Sequence, residues 1–303
     1  MNPRPQCPRQ KRTEISRNRL QSLVAQAKLS FLRSRYGEAA RRYRRALAIA
    51  EKALAPDPLE LAVPLNGLAV VYKYQARFAE ARRLYWRALA IMEKALGPDH
   101  PEVATLYHNL GGIQHARGRH AAGEPHARRA VELRKALHGT SHPAVAADQV
   151  ALAAILEGRG RFADAARLYR RALAVFRRRL GARCLEVGLA LAGLAAAEQQ
   201  RGRFATARRA YLEALDIQEA LLGGRHVDVA MTVNNLAVLE RDDGDLDRAE
   251  ALFRRASATF CVCLGEAHPH SLLAEANRRA VHAERTRPER RPDRLKPTRA
   301  TRR

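Results

Sequence analysis

The sequence predicts an all-α protein built from repeated pairs of helices. Ala, Leu and Arg, which are strong helix formers, dominate the 303 residues, whereas aromatic residues make up only 5%. Hydrophobic residues form 47% of the chain, which is enough for a sizeable core. A short pattern also returns every 42 residues, and a fixed spacing of this length indicates a repeat architecture.

The recurring pattern is a small residue, then a large one two positions later, usually with alanine three positions after that. Gly160-Arg161-Phe162 followed by Ala165 shows it most clearly. Six copies start their second helix in one register, without insertion or deletion, at Tyr36, Phe78, His120, Phe162, Phe204 and Leu246. Chance would not keep this register six times, so we expect six equivalent structural units.

Each unit is predicted to consist of two helices and a turn. In the fourth unit, apolar residues at helical spacing predict a first helix over 143–157 and a second over 162–180. A left-handed position after a helix favours glycine. Glycine follows the predicted second helices at Gly97, Gly139, Gly181, Gly223 and Gly265. Proline, whose missing N–H costs little at a helix start, opens the next helix in three places: Pro101, Pro143 and Pro269.

Small residues where paired helices cross, with an aromatic residue between them, identify the type of repeat. Ala165, Tyr169 and Ala172 of the fourth unit have equivalents in the second. This pattern resembles the tetratricopeptide repeat (TPR), and the 42-residue period and "LGPDHPEVA" linker are similar to those of kinesin light chains and many bacterial TPR proteins. The resemblance covers about 16–281. It implies a right-handed α-α superhelix of six helix-turn-helix units plus a C-terminal capping helix over about 268–281.

Two units depart from the repeat pattern. Gly123 stands in the column of Ala165, and Pro125 follows it, so we expect a looser second helix in the third unit. Pro64 lies inside the first helix of the second unit, which we expect to be kinked or shortened there.

The ends of the chain differ from the repeats. Residues 1–15 and the Pro- and Arg-rich residues 282–303 are predicted to be basic and disordered, on either side of a solenoid over 16–281. The formal net charge of +24 favours acidic or polyanionic partners. Since no apolar stretch has the length of a membrane span or the pattern of a signal sequence, we predict a cytoplasmic protein without membrane insertion.

The sequence has no motif typical of catalysis or of a cofactor site. P-loop, GxSxG and HExxH patterns are absent, so we predict a non-enzymatic protein without a cofactor. One column of equivalent positions contains His100, His142, His226 and His268, with Cys184 in the same column. Successive units are separated by roughly 10 Å, so these side chains cannot meet at one metal ion. We expect each histidine to close its own inter-unit loop.

The TPR resemblance implies where a partner binds. In a TPR stack the outward faces of the first helices line a concave groove, where asparagine often holds a peptide main chain and basic residues hold its carboxylates. Asparagine is a poor helix former, but its amide both donates and accepts hydrogen bonds. The predicted groove residues are Asn66, Lys73, His108, Asn109, Gln199, Asn234, Asn235 and Arg241. For Asn234 and Asn235, bracing of neighbouring helices is an equally good explanation.

The predicted function follows from this groove. Its floor is small and apolar in the fourth and fifth units, for example at Ala154 and Ala196, where an apolar side chain of a partner would fit. We therefore predict a protein-protein interaction scaffold or adaptor that binds a peptide segment of a partner. An acidic or apolar-acidic segment fits the positive charge best.

An alternative function uses the convex face. Arginine pairs recur on the second helices, at Arg41-Arg42, Arg82-Arg83, Arg128-Arg129, Arg170-Arg171, Arg208-Arg209 and Arg254-Arg255. Such a face is usually only solvated, but it could attract nucleic acid as part of a regulatory module. The chain lacks a DNA-binding helix-turn-helix, a zinc module and interleaved aromatic residues, so nucleic acid is the less favoured partner.

Overall fold

The structure is a computed structural model that describes residues 8–53 and 59–286. Within these ranges it contains thirteen helices and no strand, which confirms the all-α class. The helices are α1 (Pro8–Leu32), α2 (Tyr36–Ala53), α3 (Leu59–Tyr74), α4 (Phe78–Leu96), α5 (Pro101–Ala116), α6 (His120–His138), α7 (Pro143–Gly158), α8 (Phe162–Leu180), α9 (Leu185–Gln199), α10 (Phe204–Leu222), α11 (Val227–Asp242), α12 (Leu246–Leu264) and α13 (Pro269–Arg285).

Consecutive helices pack in pairs that correspond to the six predicted units. The second helices α2, α4, α6, α8, α10 and α12 begin at the six predicted positions. Each pair also packs on the next, so one hydrophobic core runs along most of the stack. The last helix, α13, packs on α12 as the predicted cap. Stability is therefore distributed over neighbouring pairs, as in other solenoids.

The turn inside each unit contains one residue with a left-handed backbone. Glycine occupies this position in four units, for example Gly160 with a φ of 74°. In the first two units the equivalent residues are Ser34 and Ala76, with φ values of 57° and 58°. Because a Cβ atom disfavours this conformation, these two turns are more strained than the others.

The four histidines of the inter-unit column are helix N-caps. The Nδ1 atoms of His100, His142, His226 and His268 accept hydrogen bonds from the backbone N–H two residues later, at 3.1–3.2 Å. This confirms the predicted loop-closing role, because each bond satisfies an N–H at the start of a helix. Cys184 caps α9 by position but makes no side-chain bond to it.

The two prolines do not shorten their helices. α3 begins at Leu59 and has 16 residues, the same length as α5, although it contains Pro64. α6 has 19 residues and continues through Pro125. Of the predicted kink or shortening at Pro64, shortening is therefore excluded: each proline removes one backbone hydrogen bond close to the helix start, and tertiary packing holds the rest.

Close contact in the third unit depends on glycine. A Cβ atom at Gly123 would lie 3.1 Å from the carbonyl oxygen of Gly111, and one at Gly111 would lie 3.3 Å from the Cβ of Ala127. The expected looser packing around α6 was therefore also wrong, because the two glycines let α5 and α6 approach closely.

The helical region is longer than the predicted solenoid at both ends. α1 begins at Pro8, so 8–15 are helical rather than disordered, and α13 continues past residue 281 to Arg285. The segment 8–15 is almost entirely polar, so it has no apolar pattern by which the start of α1 could be recognised in the sequence. Residues 1–7 and 287–303 lie outside the described ranges, so disorder there stays a prediction. In the described part of the chain, no helix is long and apolar enough to cross a membrane.

Candidate functional site

The first helices of the units form the inner wall of the curved stack. α1 contacts α3, α3 contacts α5, and the series continues through α7 and α9 to α11. The second helices of the described units lack comparable contacts with one another. The first helices are therefore closer together than the second helices, which places them on the concave side.

An apolar column runs along this concave wall. We call Val63, Thr105, Ala147, Leu189 and Met231 the inner strip; they occupy equivalent positions one repeat apart. Val63, Leu189 and Met231 keep 40–45% of their surface exposed. The sequence analysis missed this column, although the 42-residue register alone would have identified it. The inner strip can bind apolar side chains of a partner.

A cavity of about 680 Å³ adjoins one end of the inner strip. It lies between α1, α3 and α5, and its lining is mostly apolar, with Phe31, Val63 and Val70 among its walls. Asn66 supplies one of the few polar groups there. The concave wall therefore has a depression large enough for a side chain at the N-terminal end of the strip.

Several predicted groove residues bind one another instead of facing free solvent. Asn109 donates from Nδ2 to Oδ1 of Asn66 at 2.8 Å, which joins α5 to α3. Nδ1 of His108 lies 2.7 Å from Oδ1 of the buried Asp148, whose other oxygen lies 2.6 Å from Nε of Arg134. Asn66, Asn109 and His108 therefore brace adjacent units.

A second bracing network joins the fifth and sixth units. Gln199 donates from Nε2 to Oδ2 of Asp242 at 2.9 Å, and Nη2 of Arg241 contacts the other carboxylate oxygen at 2.8 Å. Arg241 was predicted as a cation that holds a peptide carboxylate. Asp242 already supplies a carboxylate to it, so Arg241 is not a free cation in this structure.

Asn234 and Asn235 behave differently from the other asparagines. Both are half-buried, and within the described ranges neither side chain has a hydrogen-bond partner. Oδ1 of Asn234 is buried and unpaired. A buried carbonyl without a donor costs roughly 1–3 kcal/mol, and a bound chain would reach this oxygen only after the Asn234 amide turns outward.

The column that contains Asn109 and Asn235 lies beside the second helix of the preceding unit. In the fifth unit this position is Gly193, and a Cβ atom there would lie 2.4 Å from the ring of Tyr169. Gly67 has the same relation to Tyr43. Asn234 belongs to a different column, that of Asn66 and His108. It lies three residues after Met231 of the inner strip, so of the two asparagines it is the one on the same helix face as the strip.

The column of Lys73 contains three groups with displaced pKa values. Desolvation by the surrounding protein, with smaller contributions from the nearby His120 and Lys73, lowers the pKa of His115 to about 4. Burial raises the pKa of Glu157 to about 7, although a hydrogen bond from Tyr169 opposes the shift. Burial also lowers the pKa of Lys73 itself. Neighbouring protein atoms therefore shift all three pKa values, although Lys73 and Glu157 are only half-buried and His115 is exposed.

Lys73 does not lie in the open groove, because the neighbouring residue Tyr74 contacts a distant part of the chain. Nε2 of His268 lies 3.1 Å from the carbonyl oxygen of Tyr74, 194 residues away along the chain. The C-terminal end of α3 therefore meets the N-terminal end of α13, and we call this contact the seam. A cavity of about 320 Å³ at the seam is lined by Lys73 and His268 together with residues of α5 and α11.

Some arginines of the second helices form ion pairs between units, but among the described residues five of the paired arginines have no carboxylate within 4.0 Å: Arg41, Arg82, Arg83, Arg171 and Arg209. Glu198 of α9 is fully buried and contacts Arg170 of α8. Glu240 of α11 is almost fully buried and lies 2.7 Å from Nη2 of Arg208 on α10. These carboxylates neutralise part of the Arg-rich face, which disfavours a polyanion-binding surface there.

The fold and its inner wall define a helical-repeat solenoid, and sequence comparison gives its family. The tetratricopeptide repeat model matches residues 18–94, 60–122, 102–178 and 186–261, which is more than half of the chain. The chain therefore belongs to the TPR family, whose members serve as protein-interaction scaffolds. No curated protein has significant similarity to the sequence.

Solved structures share the same fold at low sequence identity. BtubC (BKLC) from P. vanneervenii has a TM-score of 0.53 and 23% identity, covering 82% of this chain and 94% of its own. A Rap protein complexed with Competence and Sporulation Factor has a TM-score of 0.60 and 16% identity, covering 88% and 75%. NprR in complex with its cognate peptide NprX has a TM-score of 0.63 and 12% identity, covering 86% and 70%.

Proposed function

We propose that this chain is a non-enzymatic scaffold that binds a peptide segment of a partner protein along its concave wall. The observation that carries the proposal is the row of exposed apolar residues in the inner strip, Val63, Leu189 and Met231. A bound peptide would bury these side chains against its own apolar groups, and one of its backbone N–H groups would pair with Oδ1 of Asn234 once that amide turns outward. The fold likeness to NprR, whose structure contains a cognate peptide, supports this function.

The contacts divide into anchoring and bracing residues. Leu189 and the other exposed residues of the inner strip would bury apolar side chains of the peptide. Asn234 would hold the peptide main chain. Asn66, His108, Asn109, Gln199 and Arg241 brace the wall and fix its shape.

The partner is proposed to be apolar-acidic. Since Arg241 already pairs with Asp242, preference for acidic residues would come from the overall charge of +24 more than from one groove cation. Salt should therefore weaken binding gradually rather than abolish it. The cytoplasmic location stays a prediction from the sequence.

The test is a peptide-display selection on the full chain at near-physiological salt. The selection is repeated on Leu189→Glu and Asn234→Ala, and on Leu212→Glu as the control. Leu212 is as exposed as Leu189 (43% against 40%) but lies on α10, a second helix. We expect a consensus peptide that the wild type and Leu212→Glu enrich and that Leu189→Glu and Asn234→Ala lose.

Either of two results would reject the groove. One is the absence of an enriched peptide, and the other is equal enrichment on all four proteins. Binding of nucleic acid that falls steeply with salt, without competition from peptides, would favour the alternative Arg-rich face instead.

A further inference from the structure

The seam brings together parts of the chain that the repeat pattern does not relate. The Tyr74 ring stands against Phe31 at 5.0 Å and Tyr36 at 5.3 Å between ring centroids, so the α3 side of the seam is firmly packed. On the other side, His268 has two fixed contacts. Its Nδ1 accepts the N–H of His270, so its Nε2 carries the proton that is donated to Tyr74.

The cavity beside this contact has both charged and apolar walls. Its volume is about 320 Å³, near the lower end of the range for small-molecule sites. Phe78, Met231 and Leu264 provide apolar surface, and Lys73 and Asp228 provide opposite charges. The space is therefore large enough for a small molecule, and its walls can contact one apolar group and two charged groups of that molecule.

Lys73 and Asp228 face this cavity without forming an ion pair. Lys73 is in the last turn of α3 and Asp228 is in the first turn of α11, so each charge is favoured by its own helix dipole. Among the described residues, no carboxylate lies within 4.0 Å of the Lys73 ammonium. Nδ1 of His226 lies 3.6 Å from a carboxylate oxygen of Asp228, but this nitrogen accepts the backbone N–H of Asp228 and so does not donate to the carboxylate.

Both charges are poorly solvated. Burial lowers the pKa of Lys73, and Asp228 opposes that shift. Burial raises the pKa of Asp228, with His226 and Lys73 acting in the opposite direction. His115, with a pKa of about 4, is neutral near pH 7 and adds no third charge. A ligand that supplies one anion and one cation would relieve both desolvated groups.

We propose that the seam cavity binds a free L-α-amino acid with an apolar side chain. Its carboxylate would pair with Lys73, its ammonium with Asp228, and its side chain would pack on Phe78, Met231 and Leu264. Because the ligand would contact α3 on one side of the seam and α11 on the other, it would also hold the curved stack closed. This site shares Met231 with the inner strip, but it does not include Leu189 or Asn234, the residues that test the proposed peptide site.

The test is isothermal titration calorimetry of the full chain with L-leucine, L-isoleucine, L-valine, L-methionine and L-phenylalanine. We expect at least one to bind at concentrations up to about 1 mM and to raise Tm. For leucine, 4-methylpentanoate lacks the ammonium and isoamylamine lacks the carboxylate. Analogues that lack one of the two charges should bind at least about tenfold more weakly than the amino acid. A dipeptide, in which the two charges are farther apart, should be weakened to a similar extent.

Substitutions then test whether Lys73 and Asp228 bind the two charged groups of the amino acid. Lys73→Met and Asp228→Asn should each weaken binding about tenfold or more, with circular dichroism showing that the variants remain folded. The matched controls are Lys94→Met and Asp247→Asn, because these residues are also in a last and a first helical turn but are exposed. The controls should bind like the wild type. The proposal would be overturned if none of the five amino acids binds, or if folded Lys73→Met and Asp228→Asn bind normally.

Discussion

At the scale of single residues, identical side chains have different roles because the preceding unit differs. The amide of Asn109 finds an acceptor in Asn66 of the unit before. Asn235 occupies the same column as Asn109, but the residue equivalent to Asn66 in the unit before it is Ala192, which has no acceptor. This difference could be derived from the sequence once the register is known. The unpaired state of the Asn234 carbonyl could not, because it depends on packing around one atom.

Ala76 has a backbone conformation that favours glycine. Since glycine occupies the equivalent turn in four other units, Ala76→Gly should relieve the left-handed strain and stabilise the fold by about 1 kcal/mol. Urea denaturation measures the change. The reverse substitution at an equivalent turn, Gly118→Ala, should lower stability by a similar amount. A destabilised Ala76→Gly would show that the turn is not strained.

The carboxyl group of Glu157 should make stability depend on pH. Its pKa is about 7 in the folded state against 4.5 for an unburied glutamate, so the folded protein binds the proton more tightly. Relative to Glu157→Gln, the wild type should lose stability as pH rises from 4.5 to above 7, by on the order of 3 kcal/mol at most. Urea unfolding at pH 5 and pH 8 gives the difference. Glu132→Gln, at an exposed glutamate, is the control and should show the same change of stability with pH as the wild type. If the wild type instead gains stability with rising pH relative to Glu157→Gln, the raised pKa of Glu157 would be contradicted.

At the scale of helices, the starts of the second helices were predictable and the details of their contacts were not. The 42-residue register alone located the starts of α2, α4, α6, α8, α10 and α12. It could not predict that Pro64 and Pro125 would be accommodated, because that depends on tertiary packing around each helix. The early start of α1 was missed because 8–15 is almost entirely polar and shows no apolar pattern.

Two glycine–tyrosine contacts between units leave no room for a Cβ atom, those of Gly67 with Tyr43 and of Gly193 with Tyr169. Gly193→Ala would place a Cβ atom 2.4 Å from the Tyr169 ring and should cost about 1–3 kcal/mol. Gly37→Ala is the control: it is also in a helix, and its Cβ would meet only the end of Arg41 at 3.9 Å. Thermal unfolding should show a lower Tm for Gly193→Ala and an unchanged or higher one for Gly37→Ala. Equal effects would exclude the proposed close approach.

At the scale of the whole molecule, the seam was beyond the reach of the sequence. A repeat pattern describes contacts between neighbouring units, whereas the contact of Tyr74 with His268 results from small rotations accumulated over several units. The concave wall itself followed from the register, as did most residues near it. Which of these residues brace the wall and which remain free for a partner required the three-dimensional structure.

The central claim is that the concave wall binds a peptide through the inner strip. Its most direct test is the Kd of the selected peptide for the full chain, measured by fluorescence anisotropy on the wild type, Leu189→Glu and Leu212→Glu. We predict that Leu189→Glu weakens binding by about a hundredfold, because a carboxylate would replace an apolar contact, while Leu212→Glu leaves it unchanged. Equal affinity for Leu189→Glu and the wild type would contradict the claim.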